Sequence, residues 1–218
     1  NGQPIKEFLN SEIYPLISAS TPQGLRLVAE QRWDRGRYHS TAQLTVKNQQ
    51  GVTREVKLVR SHYRFQTPDR PAFWIKNQIA YIRFDSFSSS YAANFFSEKL
   101  PEIKKAKGLI VDIRGDGGGS SEVGYQIISH LIRQPCQASA WKSPMYVPAF
   151  RAWKRKLKWH HGTHGDIRPA KDSYLGPIAL LVGSRTGSAA EDFAVALHHA
   201  KRATLIGKPT NGSTGQPL

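Results

Sequence analysis

The sequence predicts an α/β fold built on a mostly parallel sheet, and three observations carry that prediction. Ile79 to Phe84, Gly108 to Ile113, Ile178 to Val182 and Ala203 to Ile206 are short runs of strand length, and the wholly apolar Ile178 to Val182 is of the kind covered on both faces. Between and around them, Ser90 to Lys105, Ser121 to Arg133 and Ser188 to Ala200 space their apolar residues three and four apart, as helices do. Strand and helix alternate, so successive strands are joined by right-handed crossovers and run parallel. A chain of 218 residues, 39% hydrophobic, suffices for one sizeable core and a small second module.

Residues 1 to 60 precede this pattern and read as a small α+β module. Ile5 to Ile17 carries helix-like spacing at Phe8, Leu9, Ile13 and Leu16, and the cluster Ser18 to Gly24 closes it. Gly24 to Glu30, Thr41 to Lys47 and Thr53 to Val59 read as three short β-forming runs, the last two joined by a hairpin turn at Asn48-Gln-Gln-Gly51. Residues 61 to 71 are polar, contain two prolines and read as a linker, which leaves 72 to 218 as the core. Within the core, the first helix is expected to bury Tyr91, Phe95 and Leu100 and to bend or break near Pro101. The second buries Val123, Ile127, Ile128 and Leu131; Gln134 to Tyr174 reads as an irregular insertion.

Composition narrows the classes. No apolar run approaches the ~20 residues of a membrane span. One cysteine, Cys136, excludes an internal disulfide and a cysteine-rich metal site. The opening Asn1-Gly2, without an initiator Met, reads as a fragment or a processed chain. A formal charge of +15 favours polyanionic partners. Its densest part, Arg151 to His161, holds five Arg/Lys, two Trp and no acid. A solvated basic loop or lid is the plain reading of that stretch, and a polyanion site the sharper one. His161, His164 and Asp166 have no spacing specific to a metal, and none is expected.

Chemistry is expected where loops leave the carboxyl ends of the strands. Three do so: Arg114 to Ser120, Gly183 to Ser188, and Gly207 to Gly215. Ser188 ends a strand-turn-helix elbow, and Ser188-Ala-Ala-Glu191 is a capping box. Its hydroxyl either caps the helix or is a nucleophile at the positive end of the helix dipole; the two roles are compatible. Gly117 to Gly119 let backbone N–H groups approach a ligand, but they form neither a P-loop nor a dinucleotide turn, so nucleotide binding is disfavoured. A glycine-lined oxyanion hole opposite the serine fits better, each donor being worth ~3 kcal/mol. No base is assigned. His198 and His199 lie ~15 Å from Ser188 along the helix, and Lys208 reads as a solvated amine.

Taken together, GLIVDIRGDGGG, then GSAAEDFA about seventy residues later, then RATLIGKPTNGSTG resemble the C-terminal processing (tail-specific) serine peptidases and their tricorn-like relatives. The resemblance implies a ClpP/crotonase-like core that cleaves peptides through an acyl-enzyme, without a cofactor. It assigns the nucleophile to Ser188 and the oxyanion N–H groups to Ala189 and Gly118. Glu191 and Ser213 take supporting roles, and Gly117, Gly119 and Thr214 contact substrate. Residues 1 to 60 look similar to part of a PDZ module. Where the serine-lysine branch has a lysine, this sequence has Ser213, and Lys208 lies five residues earlier. That is closer to the tricorn-like branch, whose base is an N-terminal histidine assisted by a glutamate beyond the last strand; neither is visible in this chain. Asp116 stands where asparagine is usual. The implied partners are a peptide or protein substrate and, as an open option, a second copy of the chain; nucleic acid is disfavoured. The implied location is the periplasm or cell envelope. The readings held beside it are a non-catalytic peptide-binding scaffold and a polyanion binder acting through residues 151 to 161.

Overall fold

The computed structural model describes residues 2–61 and 71–213, which divide into two compact units: 2–61 with 211–213, and 71–210. In the first unit, α1 (Ile5–Phe8) continues through a π turn at Leu9–Ile13 and a 3-10 turn at Tyr14–Leu16. Next comes α2 (Pro22–Glu30), where the sequence predicts a β run over Gly24 to Glu30. The helix wins because Thr21 caps it, its Oγ1 accepting from the Gly24 N–H at 3.0 Å, and Pro22 falls in the first turn, where its missing N–H costs nothing. β1 (Thr41–Lys47) and β2 (Thr53–Val59) form the expected antiparallel hairpin, with Thr41 opposite Val59 and Lys47 opposite Thr53. Of the linker read at 61 to 71, residues 62–70 lie outside the described residues.

The second unit is organised by one five-stranded sheet. β3 (Ala72–Lys76) runs antiparallel to β4 (Ile79–Arg83) around a turn at Asn77 and Gln78, both at positive φ. This strand is missed by the sequence reading, because AFWIK abuts a proline-bearing polar stretch and has no separating loop of its own. After α3 (Tyr91–Ile103) comes β5 (Gly108–Asp112), parallel to β4. α4 (Ser121–Ser129) is shorter than the predicted helix, though Leu131 beyond it is still buried. The insertion is not irregular. It contains β6 (Cys136–Gln137), β7 (Ala140–Met145), α5 (Pro148–Ala152), β8 (Lys158–Thr163) and β9 (Asp166–Ile167), with β6 paired to β9 and β7 to β8. The stretch 151 to 161 is therefore the end of a helix, a turn and most of a strand rather than a loop. β10 (Ile178–Val182), α6 (Ala189–His199) and β11 (Thr204–Gly207) complete the unit in the spatial order β11-β10-β5-β4-β3.

Burial alternates along the central strands. Ala80, Ile82, Leu109, Val111, Ile178 and Leu180 are fully covered, whereas Tyr81, Ile110, Ala179 and Leu181 are only half-buried. Ile178 to Val182 thus has one fully covered face among the described residues, not two, and Thr204 to Gly207 of β11 is exposed throughout. α3 offers Phe96 and Leu100 to the core, while Tyr91 is exposed and Phe95 half-buried. The helix also passes through Pro101 without breaking, since the proline lies in its last turn, where little helix remains to be disrupted. Gly124 of α4 lets Phe193 of α6 close in, and Phe193 meets Phe87 at 5.4 Å.

On the half-buried face, Asp112 at the end of β5 anchors a charged cluster. Arg114 donates to it through Nε (3.0 Å) and Nη2 (2.7 Å), the Arg114 N–H adds a third bond (3.0 Å), and the Tyr81 hydroxyl donates a fourth (2.7 Å). Burial pushes the carboxyl up, but the bonds from Arg114 and Tyr81 outweigh it and hold it below its ordinary value. A depressed carboxyl stabilises fully above its unfolded value of about 3.9 and loses that contribution as pH falls through the lower folded value. Asp112→Asn is therefore expected to cost about 2 kcal/mol at neutral pH. In urea unfolding followed against pH, the gap between variant and parent should narrow below about pH 4.

Candidate active site

The end of β10 is tied to the end of β5 by one fully buried side chain. The Thr186 hydroxyl donates to the Ile113 carbonyl (2.8 Å) and accepts from the Gly183 N–H (3.0 Å), while the Thr186 N–H returns to the Gly183 carbonyl (2.8 Å). The Gly187 N–H then donates to the Asp116 carbonyl (3.0 Å). So fixed, the chain turns through Ser188 at φ 50° and ψ −124° and enters α6 at Ala189. A non-glycine residue there costs about 1–3 kcal/mol. Such a turn between a strand and a helix is how a nucleophile elbow lifts its side chain above a sheet, and Ser188 is half-buried rather than enclosed.

The capping box read from the sequence is formed. Glu191, itself buried, accepts from the Ser188 N–H through Oε2 at 3.1 Å. In return the Glu191 N–H donates to the Ser188 carbonyl at 2.8 Å. Asp192 accepts from the Ser121 hydroxyl (2.6 Å) and so joins the first turns of α4 and α6.

The glycine loop lies against this turn. A Cβ on Gly118 would sit 2.7 Å from Ser188 Cβ and 3.0 Å from Ala189 N, and its φ of 105° suits glycine alone. Gly119, at φ 142°, leaves no room for a Cβ either, since one would fall 2.3 Å from the Phe87 carbonyl carbon. The loop is zipped to residues 86–88: the Phe87 N–H donates to the Gly118 carbonyl (2.9 Å) and the Ser120 N–H to the Phe87 carbonyl (3.0 Å). Nothing crowds Gly117. The fully buried Asp116 accepts from the Gly118 N–H through Oδ1 at 2.8 Å. The N–H expected to face an oxyanion is thus engaged within its own loop. Asp-Gly-Gly is the composition of a turn in which the side chain accepts from the backbone two residues on, and that signal lay in the sequence unused.

The structure brings Ser188, Ala189, Glu191 and Gly117 to Gly119 together in one unit. Ser213 is grouped instead with residues 2–61, where the Thr21 hydroxyl donates to the neighbouring Asn211 carbonyl (2.5 Å). Thr214 lies outside the described residues. The Lys208 N–H donates to the Val182 carbonyl (3.3 Å), and His198 and His199 sit in the last turn of α6. Among the described residues no histidine or lysine hydrogen-bonds to the Ser188 hydroxyl, and no cluster of His, Cys, Asp and Glu could hold a metal.

A serine at a positive-φ elbow above parallel strands, with a glycine loop against it, is the layout of a hydrolase core. The chain belongs to peptidase family S41, whose sequence pattern matches residues 78–217. It is 30% identical over 139 residues to the carboxy-terminal processing protease CtpA of Bacillus subtilis (strain 168), a match covering 62% of this chain and 26% of that protein. The chain thus spans about a quarter of the length of the curated relatives it matches. Mature CPAF complexed with lactacystin shares the fold, with a TM-score of 0.73 at 13% identity over 99% of this chain and 64% of that one. The photosystem II D1 C-terminal processing protease does so with a TM-score of 0.53 at 20% identity, over 82% and 46%.

Gly118→Ala is expected to destabilise this unit by about 1–3 kcal/mol, because a φ of 105° strains an alanine and its methyl would meet Ser188 Cβ. Urea unfolding of parent and variant reads the loss.

Proposed function

We propose that residues 72–218 form the core of a serine endopeptidase of the C-terminal processing type, acting on peptide bonds through an acyl-enzyme on Ser188. The supporting observation is the backbone around that serine: positive φ, the first turn of α6 immediately after it, and Gly118 pressed against its Cβ. Ser188 Oγ attacks the peptide carbonyl, and its proton passes to a base that is not among the described residues. The oxyanion is received by the N–H groups of Ala189 and Gly118; its collapse breaks the C–N bond and expels the amine, which takes the proton from the base, and water then hydrolyses the ester and returns a proton to Ser188 Oγ. Receiving it requires the Gly118 N–H to leave the Asp116 side chain. Glu191 holds the elbow; Gly117 and Gly119 line the path of the substrate backbone, with Ser213 and Thr214 as further contacts. The base fits the tricorn-like arrangement, a histidine and a glutamate from segments other than those described. Residues 1–60 are a partial PDZ-like, tail-binding module, residues 61–71 a linker, and the enzyme works in the periplasm or cell envelope, open to self-association.

A second reading is favoured by one observation, the engagement of the Gly118 N–H by Asp116. In it the chain keeps the fold as a peptide-binding scaffold that does not turn over. Fluorophosphonate labelling of the full-length protein separates the two. Peptide mapping should find the label on Ser188 and none on the Ser188→Ala variant; an unlabelled Ser188 would remove the catalytic reading and leave the scaffold.

A further inference from the structure

The insertion between α4 and β10 carries a surface that the proposed chemistry at Ser188 does not call on. From Ala138 to Gly165 the chain holds six Lys or Arg and no Asp or Glu. Its base is fixed: the half-buried Arg202 guanidinium donates to the carbonyls of Leu131, Tyr174 (2.9 Å) and Gly176 (2.7 Å), and Tyr125 Oη bonds Ser139 Oγ at 2.8 Å. Above that base, β7 and β8 form a two-stranded sheet, with Ala140 opposite Thr163 and Met145 opposite Lys158, and neither strand pairs with a third among the described residues. Each therefore keeps an outer row of backbone donors and acceptors.

Cations and rings on this hairpin are already arranged. Lys142 Nζ lies 5.3 Å from the Trp159 ring, the Arg155 guanidinium 5.0 Å from Trp153, and Lys158 Nζ 5.8 Å from Phe150. Trp141 covers Gly162 so closely that a Cβ there would meet the indole at 2.4 Å. Even so, Trp153 remains 61% exposed and Tyr146 86% exposed, a large aromatic area left in water beside unopposed positive charge.

We propose that the β7–β8 hairpin with α5 is a docking surface for an extended acidic polypeptide segment. Its carboxylates meet Lys154, Arg155, Lys156 and Lys158, its apolar side chains meet the tryptophans, and its backbone adds as a third strand to a free edge of the hairpin. The strand edges favour a polypeptide over a polynucleotide, which would use the cations and rings but has no backbone to pair with them. This inference goes beyond the peptidase reading and does not depend on it, since binding needs no reactive serine.

The test is fluorescence anisotropy on the full chain carrying Ser188→Ala. The probes are a labelled Glu-rich peptide with interspersed Val and Tyr, the same peptide with every Glu replaced by Gln, and an oligothymidylate of equal charge. The expected result is that the Glu peptide binds about tenfold or more tighter than the Gln peptide and than the oligothymidylate. It should also weaken about tenfold when Lys154, Arg155 and Lys156 are changed to Gln, with far-UV circular dichroism unchanged. Trp159→Ala, which leaves the charges in place, should weaken binding several-fold. Equal binding of the Glu and Gln peptides, tighter binding of the oligothymidylate, or indifference to both hairpin variants would overturn the proposal. The Ser188→Ala background keeps the outcome separate from whether Ser188 is a nucleophile.

Discussion

The site rests on the contact between two strand ends and the glycine loop. Thr186 joins β10 to the carbonyl that follows β5, and the Asp116 carbonyl takes the Gly187 N–H. These bonds are buried, so each broken one would leave an orphaned polar group costing about 1–3 kcal/mol. They fix where the chain leaves the sheet, and the strained turn at Ser188 persists because its flanks cannot relax. The same constraint explains why Gly118 and Gly119 must be glycine: the loop is squeezed between the elbow on one side and the backbone of residues 87–88 on the other. Beneath it, Phe84, Phe87 and Phe193 fill the space among sheet, loop and α6. Core packing therefore holds the serine in place from below.

Asp116 occupies an ambivalent position in this arrangement. Its carbonyl positions the elbow, and its carboxylate accepts the N–H that an oxyanion would need. A carboxylate is a strong acceptor for a backbone N–H. In the proposed mechanism that bond is exchanged for one to substrate, whereas in the scaffold reading it stays in place. The +15 charge of the chain is a separate feature, concentrated in part on the β7–β8 hairpin, and concerns which molecules approach.

Much of this could be read from the residues because local and global signals agreed. Ile178 to Val182, the capping box and the stripe of Phe193, Ala196 and Leu197 all point to strand, turn and helix, and all are present. Where local signals conflicted, the reading failed. Leu25 to Val28 is equally apolar as strand or helix, and only the Thr21 cap and Pro22 decide it. The insertion hid its strands because KSPM and KWHH lack the β-branched alternation that marks a strand, so pairing across the hairpin was invisible. The elbow at Ser188 was legible because it is a local motif. The engagement of Gly118 by Asp116 was less so, since an Asp-Gly-Gly turn announces its geometry but not that it will lie against a serine seventy residues on. No base was legible, since contacts between residues far apart in the chain leave no local signal.

The most direct test is a crystal structure of the full-length protein reacted with a peptide boronate. The account predicts a bond from boron to Ser188 Oγ, a boronate oxygen within about 3 Å of both Ala189 N and Gly118 N, and the Asp116 carboxylate no longer accepting from Gly118. A boronate bound elsewhere, or attached to Ser188 with its oxygen turned away while Gly118 still donates to Asp116, would contradict it.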